Sequence, residues 1–481
     1  MAQSETFTSP GLPRMANVDD QGLGAQLSDR LGGRPDRRLS RIDSRPVRVL
    51  MLSWEYPPVV VGGLGRHVHA LAGALARAGH DVTVVTRHAP GAPLDEVLEG
   101  VRVVRAPADP PPIPLDTANL LAWTMAFNHT LTRAALRAAG DTGFDLVHAH
   151  DWLATHAAVT MKDHLGVPLV ATVHATEAGR HQGWLPGDLS RSIHSVETWL
   201  GSEADRVLVC SQYMRREVEA LFSVPGGKID VIPNGVDLPQ WRPSPAKVAA
   251  ARSRFAGEGP LLGFAGRLVY EKGVHHLLNA LPELRRRHGE IRLVVAGDGP
   301  QRGELEAIAD RLGLAHAVSF TGFVGADLGS TRASTDAMVV PSIYEPFGLV
   351  ALEAAAVGAP LAVAATGGLA EIVEPGVTGL TFAARDDGAL TEAVSAQIAD
   401  REGARQMAKA AKAMVRERYG WSTVAAKTAA CYAEVVAAHG QAHDHADAST
   451  DGRRPGAPTP DRSTPIVIPE GNLLESAGLL P

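Results

Sequence analysis

From residue 47 the chain alternates short β-branched apolar runs, Gly-containing turns and apolar residues at helical spacing. The run VRVLMLSW (47–54) is apolar without alternation, which predicts a strand buried on both faces of a parallel sheet. Gly62 and Gly63 follow, and then Leu64, Val68, Leu71, Ala72 and Leu75 recur on one helical face. RAGH ends that helix with Gly79 as its expected cap, and DVTVVT (81–86) is the next strand. The second half repeats this grammar. LLGFAGR (261–267) is a strand and VYEKG a loop, and Val274, Leu277, Leu278, Leu281 and Leu284 form a helix face. RHGE stops the helix and IRLVVAG is a strand again. FDLVHAHD, PLVATVHA, DRVLVCS and IDVIPNG supply further strands in the first half. AVSFTGF, DAMVVPS and PLAVAA do so in the second. Strands alternating with helices predict parallel sheets, and the repetition predicts an α/β protein of two Rossmann-like domains in series.

The length agrees, because 481 residues exceed what one core holds. The first domain is expected over 46–240 and the second over 258–420. Pro239, Pro243 and Pro245 lie in a linker at 237–258 that lacks apolar periodicity. Segments 1–45 and 441–481, rich in Gly, Ser, Pro and charge, are expected to be disordered tails. Arg30, Arg34, Arg37, Arg38, Arg41, Arg45 and Arg48 make a basic stretch, read as a solvated tail or a weak contact with an anionic membrane. HDHAD (443–447) has metal-binding residue types, but in a tail it implies no site.

Composition removes several function classes. A net charge of −7 offers no basic field for nucleic acid. The two cysteines, Cys210 and Cys431, are far apart, which suits a reducing cytosol and no disulfide framework. No apolar run is long enough to span a bilayer and no signal peptide is evident, so a cytoplasmic location is expected.

In open α/β sheets, ligands bind at the carboxyl ends of strands. The polar and Gly-rich residues fall at those ends: Gly62–Gly63, His150–Asp151, His174, Asn234–Gly235, Gly266–Arg267, Gly297–Asp298–Gly299 and Tyr344–Glu345. Two such edges facing each other would make an interdomain cleft. GGLG permits close backbone approach to an anion at a helix N-terminus, or is a plain strand–helix turn. It is neither a Walker loop nor GxGxxG. In GRLVYEKG, Arg267 ends a strand and Lys272 precedes a helix, two cations placed for a diphosphate. In YEPFGLVALE, Glu345 ends a strand and a helix begins near 347–349. The free N–H groups of Gly348 and Leu349 suit phosphate oxygens. Glu353, expected about two turns into that helix, can accept from two ribose hydroxyls. Glu345, in the loop, suits a sugar hydroxyl or a developing positive charge.

Together the Glu-x7-Glu spacing of Glu345 and Glu353, GRLVYEKG, VVAGDGP, TGF, VIPNGVD and GGLGRHVHALAGALARAGHDVTVVT resemble the retaining GT-B glycosyltransferases of the glycogen synthase clan. The resemblance covers about 46–435. Within the clan, SWEYPPVVVGGLGRH, HAHDWLATHAA and ATVHATEAGRHQGW are similar to actinobacterial α-1,4-glucosyltransferases of glycogen and methylglucose lipopolysaccharide synthesis. It implies an NDP-sugar donor held mostly by the second domain and a glucan or oligosaccharide acceptor held mostly by the first. It also implies a last helix, 421–438, that crosses back onto the first domain. Arg267 and Lys272 would hold the diphosphate, Glu353 the ribose and Glu345 the donor sugar. Gly63 would lie near the diphosphate, His174 would face the transferred glucose, and Asp151 would lie on the sugar side. His174 also reads as a core histidine at a strand end. No metal is required in this class, and no permanently bound cofactor is implied. One position departs from the pattern: Val60 stands where bacterial glycogen synthases carry Lys two residues before the Gly pair. The donor is therefore left open between UDP- and ADP-glucose. The other readings are an α-mannosyl or other hexosyl transfer to a lipid or small acceptor, and a sugar-nucleotide epimerase.

Overall fold

The computed structural model describes residues 45–140, 143–325 and 327–450, with side chains as far as 442. All described secondary structure falls in one compact unit that begins at Pro46. Eight strands build a first sheet: β1 (Arg48–Leu52), β2 (Asp81–Arg87), β3 (Asp95–Leu98), β4 (Val101–Ala106), β5 (Leu146–His150), β6 (Leu169–Val173), β7 (Arg206–Val209) and β8 (Ile229–Val231). Six build a second: β9 (Leu261–Ala265), β10 (Arg292–Ala296), β11 (Val318–Gly322), β12 (Ala337–Val340), β13 (Leu361–Ala364) and β14 (Leu380–Phe382).

The sheet orders are β3-β4-β2-β1-β5-β6-β7-β8 and β11-β10-β9-β12-β13-β14. Every pairing is parallel except β3 with β4. The order reverses between β1 and β5 in one sheet and between β9 and β12 in the other. These are the switch points where doubly wound sheets open a crevice for ligands. The apolar runs without alternation become central strands buried along their length: β5, β6, β9, β12 and β13 are buried at every position. Val274, Leu277, Leu278, Leu281 and Leu284 all face the second core.

Several features depart from the expectations. The hairpin β3–β4 was not foreseen. Its turn places Glu99 and Gly100 at φ 50° and 83°, and Glu is an unusual residue for such a turn. The linker is not irregular throughout. Pro245–Phe255 is a helix capped by the Ser244 hydroxyl, with Pro245 in its first turn, where no N–H is missed. Arg48 leaves the basic stretch, because it lies in β1 and donates to Asp145 at 2.7 Å. The last helix runs Trp421–Thr450, so residues 441–450, expected as tail, are helical. Residues 1–44 and 451–481, and the side chains of HDHAD, lie outside the described residues.

That last helix packs on the first domain. Val424, Ala425, Ala429, Tyr432 and Val435 share a core with Val49, Met51, Val68 and Leu71. The Tyr432 hydroxyl lies 2.7 Å from His148 Nδ1, on the central strand β5. Cys210 and Cys431 are both buried free thiols.

Candidate active site

The two switch points face each other. Gly62 caps and Gly63 begins the helix Gly63–Arg77. A Cβ on Gly63 would stand 3.0 Å from Leu349 Cδ1, so the glycine permits the close approach of the two domains. Leu349 opens the helix Leu349–Val357, with Gly348 as its N-cap at φ 112°, in the left-handed region that glycine tolerates. The start of this helix thus lies against the Gly62–Gly63 turn. Glu353 lies one turn into that helix rather than two, because the helix begins at Leu349.

Glu345 and Glu353 are both buried, and each has a cation. Lys272 Nζ donates to Glu345 Oε2 at 2.9 Å, and the Ser342 hydroxyl donates to the same oxygen at 3.2 Å. Glu353 lies between two guanidinium groups. Arg66 Nη1, from the first domain, donates to Oε1 at 2.5 Å. Arg332 Nη1 is 2.7 Å from Oε2, an ion pair without the alignment of a hydrogen bond. Arg332 is itself buried and stacks over Trp241 at 4.8 Å. Burial pushes its pKa down, and Glu353 opposes that shift. Arg267, at the end of β9, is half-exposed. Burial first, and then the nearby Arg180 charge, hold its pKa below the ordinary value.

In the first domain, Asp151 follows β5 at φ 58°, ψ 173°, a combination otherwise left to glycine. It is held there because its Oδ1 accepts the His174 N–H at 2.7 Å. Burial pushes the Asp151 carboxyl up to about 6, against the His174 hydrogen bond and the Arg180 charge. Asp151 therefore fixes the backbone of His174. The His174 ring is part of a histidine group: its Nε2 lies 3.1 Å from His150 Nδ1, and the His67 ring lies 4.8 Å away, edge-on. Burial holds all three imidazoles well below their usual pKa, which keeps them neutral at pH 7. One nitrogen from each lies within 4.8 Å of the others, a spacing that three neutral imidazoles could use for a cation.

The loop that carries Glu345 is tied to the first domain. The Tyr344 hydroxyl donates to Glu217 at 2.8 Å, and the Pro346 carbonyl accepts from the Ser211 hydroxyl at 2.7 Å. Glu371 accepts the N–H groups of Gln212 and Tyr213 at 2.9 and 2.7 Å, capping a first-domain helix from the second domain.

Of the sequence-predicted residues, the structure sets Gly63 against Leu349, pairs Lys272 with Glu345 and Asp151 with His174, puts Gly348, Leu349 and Glu353 on one helix, and leaves Arg267 within electrostatic reach of Glu345. Sequence reasoning missed Glu55, Arg66, Arg180, Glu197 and Arg332. Glu55 Oε2 accepts the N–H groups of Val61 and Gly62 at 2.6 and 3.0 Å and so shapes the Gly turn. Its position after the end of β1 was the available signal. Arg66 and Arg332 carry no local signal, since each lies within a helix and meets Glu353 only in the folded chain.

Glu197 is buried and accepts the Glu177 N–H at the start of the short helix Glu177–Arg180, at 2.9 and 3.1 Å. Burial pushes its pKa up to about 8, against that hydrogen bond. The folded protein therefore holds a proton that the unfolded chain releases near its ordinary carboxyl value. Stability falls as pH rises from the ordinary glutamate range to about 8. Glu197→Gln is expected to flatten that slope by up to about 1.4 kcal/mol per pH unit. Urea midpoints of both proteins at about pH 5 and about pH 7.5 test this. Parallel pH dependence in the two would mean that Glu197 is ionised in the native state.

Comparison with known proteins gives the family. Residues 61–240 match the Glycosyltransferase Family 4 model and residues 247–414 match Glycosyl transferases group 1. The chain is 46% identical over 398 residues to a glycogen synthase of Mycobacterium tuberculosis, covering 80% of this chain and 94% of that protein. It is 33% identical over 415 residues to a D-inositol 3-phosphate glycosyltransferase of Xylanimonas cellulosilytica, covering 82% and 98%. Its fold superposes on a sucrose-phosphate synthase of Thermosynechococcus elongatus with a TM-score of 0.71 at 27% identity, covering 82% of this chain and all of that one. The facing switch points, the paired carboxylates and the relatives lead to one assignment: the chain belongs to the GT-B glycosyltransferases of the glycogen synthase clan.

Proposed function

We propose that the enzyme moves glucose from UDP- or ADP-glucose to an α-1,4-glucan or oligosaccharide with retention of the anomeric configuration. The observation that carries this reading is the cluster of Arg267, the Lys272–Glu345 pair, Glu353 and the open helix start at Gly348–Leu349 around one cleft. The cations and N–H groups suit a diphosphate, and Glu353 suits the ribose. The acceptor side carries His174 and Asp151. The bond between the anomeric carbon and the diphosphate oxygen breaks as the acceptor 4-hydroxyl adds from the same face. Its proton passes to the departing phosphate oxygen. No protein nucleophile is needed. Positive charge for the leaving group comes from Arg267, Lys272 and the helix N-terminus.

The 46% relative named a glycogen synthase supports glucosyl transfer to a glucan. The relatives named D-inositol 3-phosphate glycosyltransferases support the alternative, hexosyl transfer to a small acceptor. The deciding experiment incubates purified protein with UDP-glucose, ADP-glucose or GDP-mannose, with maltooligosaccharide as acceptor. Chain elongation from either glucose donor is the expected result. Turnover of GDP-mannose alone, or an epimerised donor, would exclude it.

Metal independence follows from the same charges. Transfer is expected to persist in excess EDTA with at most a modest loss. Complete inactivation that added metal restores would show that the side-chain cations are insufficient, and would direct attention to His67, His150 and His174.

A further inference from the structure

Arg66 is the fourth residue of the helix Gly63–Arg77, about one turn behind the glycine that meets Leu349. Its side chain is about half exposed (49%), yet its guanidinium reaches across the cleft to a carboxylate that is only 6% exposed. Glu353 does not need this partner for neutrality. Arg332, at 2.7 Å and 3% exposed, already supplies a buried positive charge from the same domain and is fixed over Trp241. Arg66 makes the group a triad with a net charge of one positive, in a cleft built for an anion. An ordinary surface ion pair is worth almost nothing. This one joins the helix that follows the Gly62–Gly63 turn to the carboxylate read above as the ribose ligand.

We propose that Arg66 is a positioning residue that seats the first domain on the bound nucleotide. By gripping Glu353 Oε1, it sets the distance between the Gly63 turn and the diphosphate held by the second domain. The ionised carboxylate has lone pairs enough to accept from ribose hydroxyls while it keeps a guanidinium. The pair therefore persists, or shifts slightly, when donor binds. Its contribution is to geometry between domains, and an ångström of misplacement at a reacting centre costs about 100-fold in rate. The inference rests on the glucosyltransferase reading of the cleft and deepens it by giving the first domain its own hold on the nucleotide site.

The test uses the full-length protein with Arg66→Ala, Arg66→Lys, Glu353→Gln and the Arg66→Ala/Glu353→Gln double variant. The measurements are kcat and donor KM, and Kd for UDP and ADP by calorimetry. Arg66→Ala is expected to lower kcat by about 10- to 100-fold, with nucleotide Kd within about 3-fold of wild type, because the nucleotide ligands of the second domain are untouched. Arg66→Lys should recover part of kcat. Arg66→Ala should add little further loss of kcat in the Glu353→Gln background, since its partner is already altered. Wild-type kcat in Arg66→Ala would reduce the pair to a passive surface contact and overturn the proposal. A nucleotide Kd raised about tenfold or more would make Arg66 a direct ligand and also overturn it. Fully additive losses in the double variant would do the same. Unchanged nucleotide Kd in Glu353→Gln would instead sink the ribose reading, whatever Arg66 does, so the two failures are separable.

Discussion

Arg267→Ala and Lys272→Ala are each expected to lower kcat by on the order of 100-fold or more, the usual loss when a group that stabilises developing negative charge is removed. The two should differ in what else they cost. Arg267 is half-exposed at the end of β9, and the Glu271 carboxylate lies 3.9 Å from its guanidinium. Removing it should leave folding intact. Lys272 is mostly buried and pairs with Glu345 at 2.9 Å, so Lys272→Ala strands a buried carboxylate beside the Ser342 hydroxyl. That variant should also unfold at a lower urea concentration, because breaking one side of a buried pair leaves an uncompensated charge. Turnover of NDP-glucose, followed with urea midpoints, separates the two effects. Activity within a few-fold of wild type in either variant would remove that residue from the diphosphate site.

The second large effect concerns the two carboxylates, which the structure places against different cations. Glu345 shares its Oε2 between Lys272 and Ser342, at the mouth of the loop 344–347. In the proposed function it faces the donor sugar, whose positive charge grows only as the bond breaks. Glu345→Gln keeps the shape and one acceptor but loses the charge, and it is expected to lower kcat by on the order of 100-fold with little change in donor KM. As the proposed ribose ligand, Glu353 would make hydrogen bonds that form equally in ground and transition states. Glu353→Gln should raise donor KM, and through the weakened Arg66 contact it should also lower kcat, but by no more than Arg66→Ala does. Truncation has a further consequence. Glu353→Ala leaves Arg332 buried and unpaired over Trp241, at a cost of about 3–5 kcal/mol in stability. Arg332→Met in the Glu353→Ala background should regain much of that loss, since a flexible apolar chain tolerates the same space. Loss of kcat in Glu353→Gln with unchanged donor KM, together with loss of affinity only in Glu345→Gln, would reverse the two roles.

These side chains mark how far the chain was legible before folding. Arg267, Lys272, Glu345 and Glu353 could be named because each stands a fixed few residues from a strand end or a helix start. In an α/β sheet that local position alone puts a residue at the ligand edge. The central strands could be named for a similar local reason, since a run buried on both faces shows no alternation. Weak local signals failed. The β3–β4 hairpin turns on Glu99 and Gly100, and β14 is three residues long. The helix Pro245–Phe255 has little apolar periodicity, and only its Ser-Pro start could announce it.

The partners of the site charges were decided by tertiary structure alone. Glu353 lies 287 positions from Arg66, and Lys272 lies 73 from Glu345. No periodicity spans such separations. Burial of Glu197, which raises its pKa, and the hold of Asp151 on the His174 backbone likewise arise only when β5, β6 and their loops pack. The sequence by itself determined two doubly wound sheets and the edge of each that carries chemistry, because backbone pairing and apolar burial follow local pattern. Which first-domain cation meets which second-domain carboxylate depended on how the two edges face across the cleft, because an ion pair is set by distance in space and leaves no mark on its neighbours in sequence.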